Sequence, residues 1–164
     1  MKPKIVLLIG NIGSGKSTTA KKYVKKGYLS ASRDAFRYML HADNYIFDRS
    51  LEQAIHRAHM ATIEALLSTG RNIVVDEVNA RPSGRKQTIK LAKKYDYSVY
   101  AHVLPAWSKQ ECLRRRKADP HGTFNKRDWL EVWEMFDDGM QPPDKTEGFT
   151  GIIKDNWNKQ KLIG

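Results

Sequence analysis

The sequence predicts an α/β domain built on a parallel sheet of about five strands, with helices on both faces and a small lid. Three observations predict it. Strand-like and helix-like patterns alternate from one end of the chain to the other. The first of them, Ile5 to Ile9, is an unbroken apolar run, which a central parallel strand buried on both faces requires. A glycine-rich turn then leads straight from that strand into a helical pattern.

The remaining elements follow in order. Ser17 to Lys26 has helical character and stops at Gly27, a residue suited to the left-handed conformation that ends helices. Tyr28 to Ser30 is a short second strand, followed by a helix from about Asp34 to Leu40. Leu51, Ala54, Ile55, Ala58, Ile63, Leu66 and Leu67 recur at helical spacing and predict one face of a long helix closed by Gly70. Ile73-Val74-Val75 forms the third strand. Pro82, pre-set for a first helical turn, opens a helix running to about Tyr95. Ser98 to Leu104 is the fourth strand, stopped by Pro105, and Ser108 to Lys117 is helical with basic residues at its C-terminal end, where the helix dipole favours them. A further helix spans about Asp128 to Phe136, and Gly151-Ile152-Ile153 is a short last strand.

The chain has 164 residues, enough for one domain with its own core and short for two. Its single cysteine, Cys112, excludes an internal disulfide framework and a multi-cysteine metal site. No apolar run approaches the roughly 20 residues of a membrane span. The N-terminal apolar run is too short for a secretory signal and leads into glycines and a lysine, so a cytoplasmic protein is expected. Twenty-nine Lys and Arg against 18 Asp and Glu leave a formal charge of +11, which favours polyanionic partners such as DNA or RNA. A basic surface serving solubility alone gives the same count. His56 and His59 are helical neighbours without a third ligand nearby in sequence, so no metal site is expected there. His56 and His41 are expected on solvated surface, and Trp129 and Trp133 to pack rather than stack on bases. Tyr23, Phe36 and Tyr38 are candidates to line an acceptor channel, with core packing expected for at least one of them.

The strongest chemical signal is Gly10-Asn11-Ile12-Gly13-Ser14-Gly15-Lys16-Ser17, which fits G-x-x-x-x-G-K-[ST] at every fixed position and sits between a buried strand and a helix. The glycines let the backbone curl until its N–H groups point at phosphate oxygens, and the following helix adds its positive end. Gly10, Gly13, Ser14, Gly15, Lys16, Ser17 and Thr18 are the expected nucleotide contacts. Lys16 reaches the β- and γ-phosphates of ATP or another nucleoside triphosphate, and Ser17 ligates Mg²⁺.

Arg33-Asp34-x-x-Arg37 follows the second strand, at the sheet edge that carries the phosphate loop. Asp34 can accept the proton of an attacking hydroxyl, and Arg37 can hold a phosphate of the acceptor. Asp34 also has the position of a helix N-cap and Arg37 that of a solvated charge. The phosphate loop together with Arg33-Asp34-x-x-Arg37 resembles the kinase module of the phage and animal 5′-polynucleotide kinases. So does Pro142-Pro143-Asp144-Lys145-Thr146-Glu147-Gly148-Phe149, similar to their Pro-Pro-x-x-x-Glu-Gly-Phe segment. The resemblance implies a P-loop kinase fold in which Asp34 is the general base for a 5′-hydroxyl and Arg37 binds the adjacent nucleic-acid phosphate.

Val74-Val75-Asp76 has the form of a strand ending in a metal-shell acid, so Asp76 joins Ser17 as a candidate for Mg²⁺. The resemblance implies Asp-x-Asn here, then an arginine-bearing helix. This chain has Asp76-Glu77-Val78-Asn79, one residue longer, then Arg81 and Arg85, which leaves the roles of Glu77 and Asn79 open. Arg114-Arg115-Arg116-Lys117 precedes an irregular stretch, the layout of a lid arm over about residues 114–127, and Arg115 or Arg116 is expected to neutralise the transferred phosphoryl group. The leading expectation is transfer of the ATP γ-phosphate to a 5′-hydroxyl of DNA or RNA. A separate phosphatase and ligase would complete end healing, since neither signature is present. The alternatives are a small-molecule or nucleoside kinase on the same scaffold, and an ATPase module driving a partner.

Overall fold

The computed structural model describes residues 1–118 and 128–155, and within them the expected alternation is present in full. Strand β1 (Lys4–Ile9) leads to helix α1 (Lys16–Lys25), strand β2 (Leu29–Ala31), helix α2 (Arg33–Leu40) and helix α3 (Glu52–Leu67). Strand β3 (Ile73–Val75), helix α4 (Pro82–Lys94) and strand β4 (Ser98–Val103) come next. Helix α5 (Lys109–Ala118), helix α6 (Trp129–Asp138), a 3₁₀ turn (Lys145–Glu147) and strand β5 (Gly151–Lys154) complete it. Part of the expected lid, residues 119–127, lies outside the described residues.

The five strands form one parallel sheet in the order β2-β3-β1-β4-β5. Because β1 has β3 on one side and β4 on the other, successive crossovers leave it in opposite directions, and the crevice this opens lies at the C-terminal end of β1. That is where the glycine loop begins.

Alternation along β1 explains the two halves of the core. Ile5, Leu7 and Ile9 face one way, against Ile63 and Leu67 of α3 and Ile89 and Ala92 of α4. Val6 and Leu8 face the other way, with Ala20 of α1 and Leu104. All five β1 residues from Ile5 to Ile9 are at most 2% exposed, as an apolar run without polar alternation demands. In α3 the buried stripe is Ile55, His59, Ile63 and Leu67, spaced by fours, while Ala54 is exposed. A histidine thus holds a core position that the apolar pattern left out. His56 is exposed as expected, but His41 is half-buried, its Nδ1 2.8 Å from the Arg37 carbonyl at the end of α2.

No described helix is long and apolar enough to cross a membrane.

Candidate active site

The phosphate loop is shaped by close approaches that only small residues permit. Gly13 has a positive φ of 72° and lies against the α5 backbone, so that a Cβ there would sit 2.3 Å from the Cys112 carbonyl oxygen. Gly15, at φ 97°, is the N-cap of α1, which has neither a side-chain cap nor an acid in its first turn. Its leading N–H groups are therefore left for an external anion. Asn11 fixes the loop from within: its Oδ1 accepts from the Ile12 amide at 2.7 Å, and its Nδ2 donates to the Trp133 carbonyl of α6 at 2.9 Å. Gly13→Ala is expected to abolish nucleotide binding, because left-handed strain and the Cys112 clash act together. Isothermal titration with ATP checks this, and binding within threefold of wild type would refute it.

Lys16 arches over this loop and donates to the Asn11 carbonyl at 2.8 Å. Burial lowers its pKa below the ordinary lysine value, against the opposing pull of Asp76, Asp34 and Glu77. Asp76 shifts the other way: burial raises its carboxyl above the usual range, although the Ser17 hydroxyl donates to it and Lys16 lies close. Lys16, Ser17 and Asp76 are thus one charge-coupled group. A hydroxyl beside a carboxylate is an all-oxygen donor pair, the chemistry that suits Mg²⁺. Gly13, Gly15 and Thr18 line the same cleft, whereas Gly10 and the buried Ser14 shape the loop from beneath.

Across the cleft stands the start of α2. Its N-cap is Ser32, whose hydroxyl accepts from the Asp34 amide at 3.2 Å, so the Asp34 carboxylate is not used as the cap. Asp34 Oδ1 instead accepts from Arg37 Nη1. Arg37 is only 7% exposed and is no solvated charge. Its Nε and Nη2 donate to the two carboxylate oxygens of Glu52 at 2.9 and 2.5 Å. Burial opposes the guanidinium charge, and the Glu52 and Asp34 carboxylates outweigh it, so its pKa stands above the ordinary arginine value. Glu77 is committed to the same helix end, accepting from the Arg33 amide at 2.6 Å and from Arg33 Nε at 2.8 Å. Asn79, at φ 49°, donates to the Leu8 carbonyl at 2.8 Å and ties the β3 exit to β1.

The third wall comes from α5 and α6. Arg115 donates to Glu111 at 2.6 Å and its guanidinium stacks 3.9 Å from the Trp107 ring centre. Arg114 and Arg115 together hold the Glu111 carboxyl down at about 2. Arg116 lies 4.1 Å over the Trp129 ring, and its charge reaches Lys16, whose pKa it depresses. The cleft enclosed by these walls has a volume of about 930 Å³ and takes in Lys16, Ser17, Asp34, Arg37, Asp76, Arg115 and Arg116. All the expected charged site residues therefore face one space.

A family model described as an AAA domain matches residues 5–142. The chain belongs to that family. Among solved structures, this AAA domain is similar to a chain of the Pnkp1/Rnl/Hen1 RNA repair complex, with a TM-score of 0.70 and 24% identity over 84% of this chain and 43% of that one. It thus spans less than half the length of that relative. It is also similar to Chaetomium thermophilum Kti12 in complex with ADP-AlF3, with a TM-score of 0.67 and 14% identity over 94% of this chain and 89% of that one. The Mycobacterium tuberculosis APS kinase CysC, in complex with AMPPNP and APS, gives a TM-score of 0.58 and 20% identity over 94% and 90% of the two chains. At these identities the likeness is one of fold, and the fold is that of the P-loop kinases.

The aromatic wall of this AAA domain differs from the expected one. Tyr23 lies on the α1 side of the sheet, its hydroxyl 2.9 Å from His102 Nδ1, and neither it nor Phe36 nor Tyr38 lines the cleft. Tyr45, Phe47, Trp129 and Phe136 do. Trp129 was expected only to pack; it faces the cleft because α6 presents it to Arg116 and Tyr45. Glu52, Tyr45 and Phe47 went unassigned in the sequence. The first reads as an ordinary helix-start acid, and the others sit in a segment with no period.

Proposed function

We propose that this P-loop kinase-like domain is a phosphotransferase that moves the γ-phosphate of ATP to the 5′-hydroxyl of a DNA or RNA strand. One observation carries the reading: the Asp34 carboxylate, held at Oδ1 by Arg37, faces the same cleft as Lys16 and Ser17. Oδ2 is left for an acceptor hydroxyl. As the hydroxyl oxygen bonds to the γ-phosphorus, the bond to the β–γ bridging oxygen breaks, ADP leaves, and the proton passes to Asp34.

Each remaining residue has a definable part. The loop N–H groups and the α1 N-terminus hold the phosphates, and Lys16 turns from the Asn11 carbonyl to the β- and γ-oxygens. Ser17, with Asp76 behind it, would hold Mg²⁺, which when bound neutralises charge on those oxygens. Arg37 keeps Asp34 in place. Three of its five N–H donors go to Asp34 and Glu52, so two remain for the acceptor's phosphate. The +11 charge and the resemblance of the Asp34, Arg37 and Glu147 segments to polynucleotide kinases favour a nucleic-acid acceptor. The similarity to an APS kinase favours a second reading, in which a small molecule or nucleoside is the acceptor.

The test is transfer of labelled γ-phosphate to 5′-OH oligonucleotides by the wild type and by Asp34→Asn. Loss of at least about a hundredfold in the variant, with ATP binding intact, is expected. Failure of the wild type to label any DNA or RNA end while still binding ATP would sink the reading and turn the search to metabolites.

A further inference from the structure

Behind the cleft lies a second cavity of about 380 Å³, within the range of ligand pockets. The two are contiguous, for Arg33, Glu77, Val78, Met135 and Phe136 belong to the walls of both. The second cavity opens on the N-terminus of α4. That helix has 13 residues, begins with Pro82, carries no side-chain cap and has no acid in its first turn. Ser83 and Gly84 line the cavity, and nothing stands within 4 Å of where a Gly84 Cβ would be. Arg81 lines it too, its guanidinium lying over Gly139, where an added Cβ would come 2.8 Å from Nε. The acid in the wall, Glu77, is already paired with Arg33. This end of the cavity is electropositive.

An independent feature points to a ligand. His59 is 4% exposed, lines this cavity, and its Nε2 has no hydrogen-bond partner. The ring is already bonded to the Ala31 carbonyl. Nε2 stands 4.0 Å from Glu77, too far for a hydrogen bond. A buried, unsatisfied ring nitrogen costs stability unless something occupies the cavity beside it. The rest of the wall mixes apolar Met60, Val75 and Phe136 with polar His56, Asn79 and Thr88.

We propose that this second cavity is an acceptor subsite for the nucleotide following the one that reacts. Its 3′-phosphate sits on the α4 N-terminus and Arg81, and in an RNA acceptor the 2′-hydroxyl of its ribose donates to His59 Nε2. The assignment rests on the reading of the acceptor as a nucleic-acid strand. It makes the domain sensitive to acceptor length at a cavity that Asp34 itself does not line. It also explains why a helix start free of acids and caps borders the second cavity.

The test compares two 5′-OH acceptors at saturating ATP: a nucleoside 3′-monophosphate, and a dinucleotide with a 3′-phosphate. The readout is the ratio of their KM values in the wild type, Ser83→Glu and Arg81→Gln. A carboxylate at position 83 suits the helix dipole, so the fold is not at risk, yet it repels a phosphate. In the wild type the dinucleotide is expected to have a KM about tenfold lower, the equivalent of one charge-assisted hydrogen bond. In both variants that ratio falls towards one. An undiminished ratio in the variants, or no length dependence in the wild type, overturns the subsite. If neither acceptor is phosphorylated, the polynucleotide reading itself has failed, and inorganic phosphate judges the cavity, followed through the His59 ring resonances. Shifts in the wild type that vanish in Ser83→Glu support an anion site, and unshifted resonances in the wild type overturn it.

Discussion

Arg116→Ala is expected to lower phosphoryl transfer by about 10³–10⁵-fold, and Arg115→Ala by much less. The two arginines are neighbours on one helix and both line the cleft, so position in the sequence does not separate them. Their surroundings do. Arg115 is turned towards its own helix, donating to Glu111 and stacking on Trp107, which spends its charge on α5. Arg116 projects over Trp129 towards the phosphate loop, close enough for its charge to lower the pKa of Lys16. Two cations that repel each other across a cleft are stabilised together when a polyphosphate enters between them. The charge that develops on the transferred group then meets both. Single-turnover transfer at saturating ATP separates chemistry from binding. Arg116→Lys serves as a control, because it keeps the charge and loses the planar fork and the stacking. A larger loss for Arg115→Ala than for Arg116→Ala would reverse the assignment.

Much of this site was legible because its residues are close in sequence and their chemistry depends on spacing. The glycine loop carries its own context, with an apolar strand before it and a helix after it. Asp34 and Arg37 are three apart on one helix, so their meeting followed from helical geometry. Partners distant in sequence were not legible. Glu52 binds Arg37 across a segment without period, and Asn11 reaches Trp133 across most of the chain. His59 shows the limit of hydrophobic patterning. It occupies a core position of α3 while reading as polar, since a helix face is counted by apolar residues and a buried imidazole is not one. Tyr23 took the core-packing alternative, against the α1-side core, for a related reason: periodicity places an aromatic on a helix but does not say which side of the sheet that helix covers.

The C-terminal motif teaches the same lesson from the other side, and it yields a large expected effect on stability. Glu147→Gln is expected to destabilise the fold by about 3–5 kcal/mol. That is much of the roughly 5–15 kcal/mol that holds a domain together. Arg85 is fully buried in α4, and its Nε and Nη2 donate to the two Glu147 oxygens at 2.8 and 2.7 Å. Its Nη1 reaches the Asn79 carbonyl at 2.8 Å and the Gln141 carbonyl at 3.1 Å. The Pro-Pro-x-x-x-Glu-Gly-Phe segment is thus a strut. Glu147 closes a capping box with Asp144, Gly148 turns at φ 105°, and Phe149 enters the half of the core that α4 covers. Removing the Glu147 charge strands the Arg85 cation where water cannot reach it, while an apolar pair of similar volume avoids that penalty. Arg85→Met with Glu147→Leu should therefore recover part of the loss in urea unfolding. The pH dependence has a fixed sign. Burial opposes the Glu147 charge, but the Arg85 hydrogen bonds outweigh it and leave its pKa below the ordinary glutamate value. Its contribution is then full above about pH 4.3, the unfolded value, and is lost as pH falls through the lower folded one. A Glu147→Gln protein as stable as the wild type at neutral pH would show that the motif serves the reaction rather than the fold.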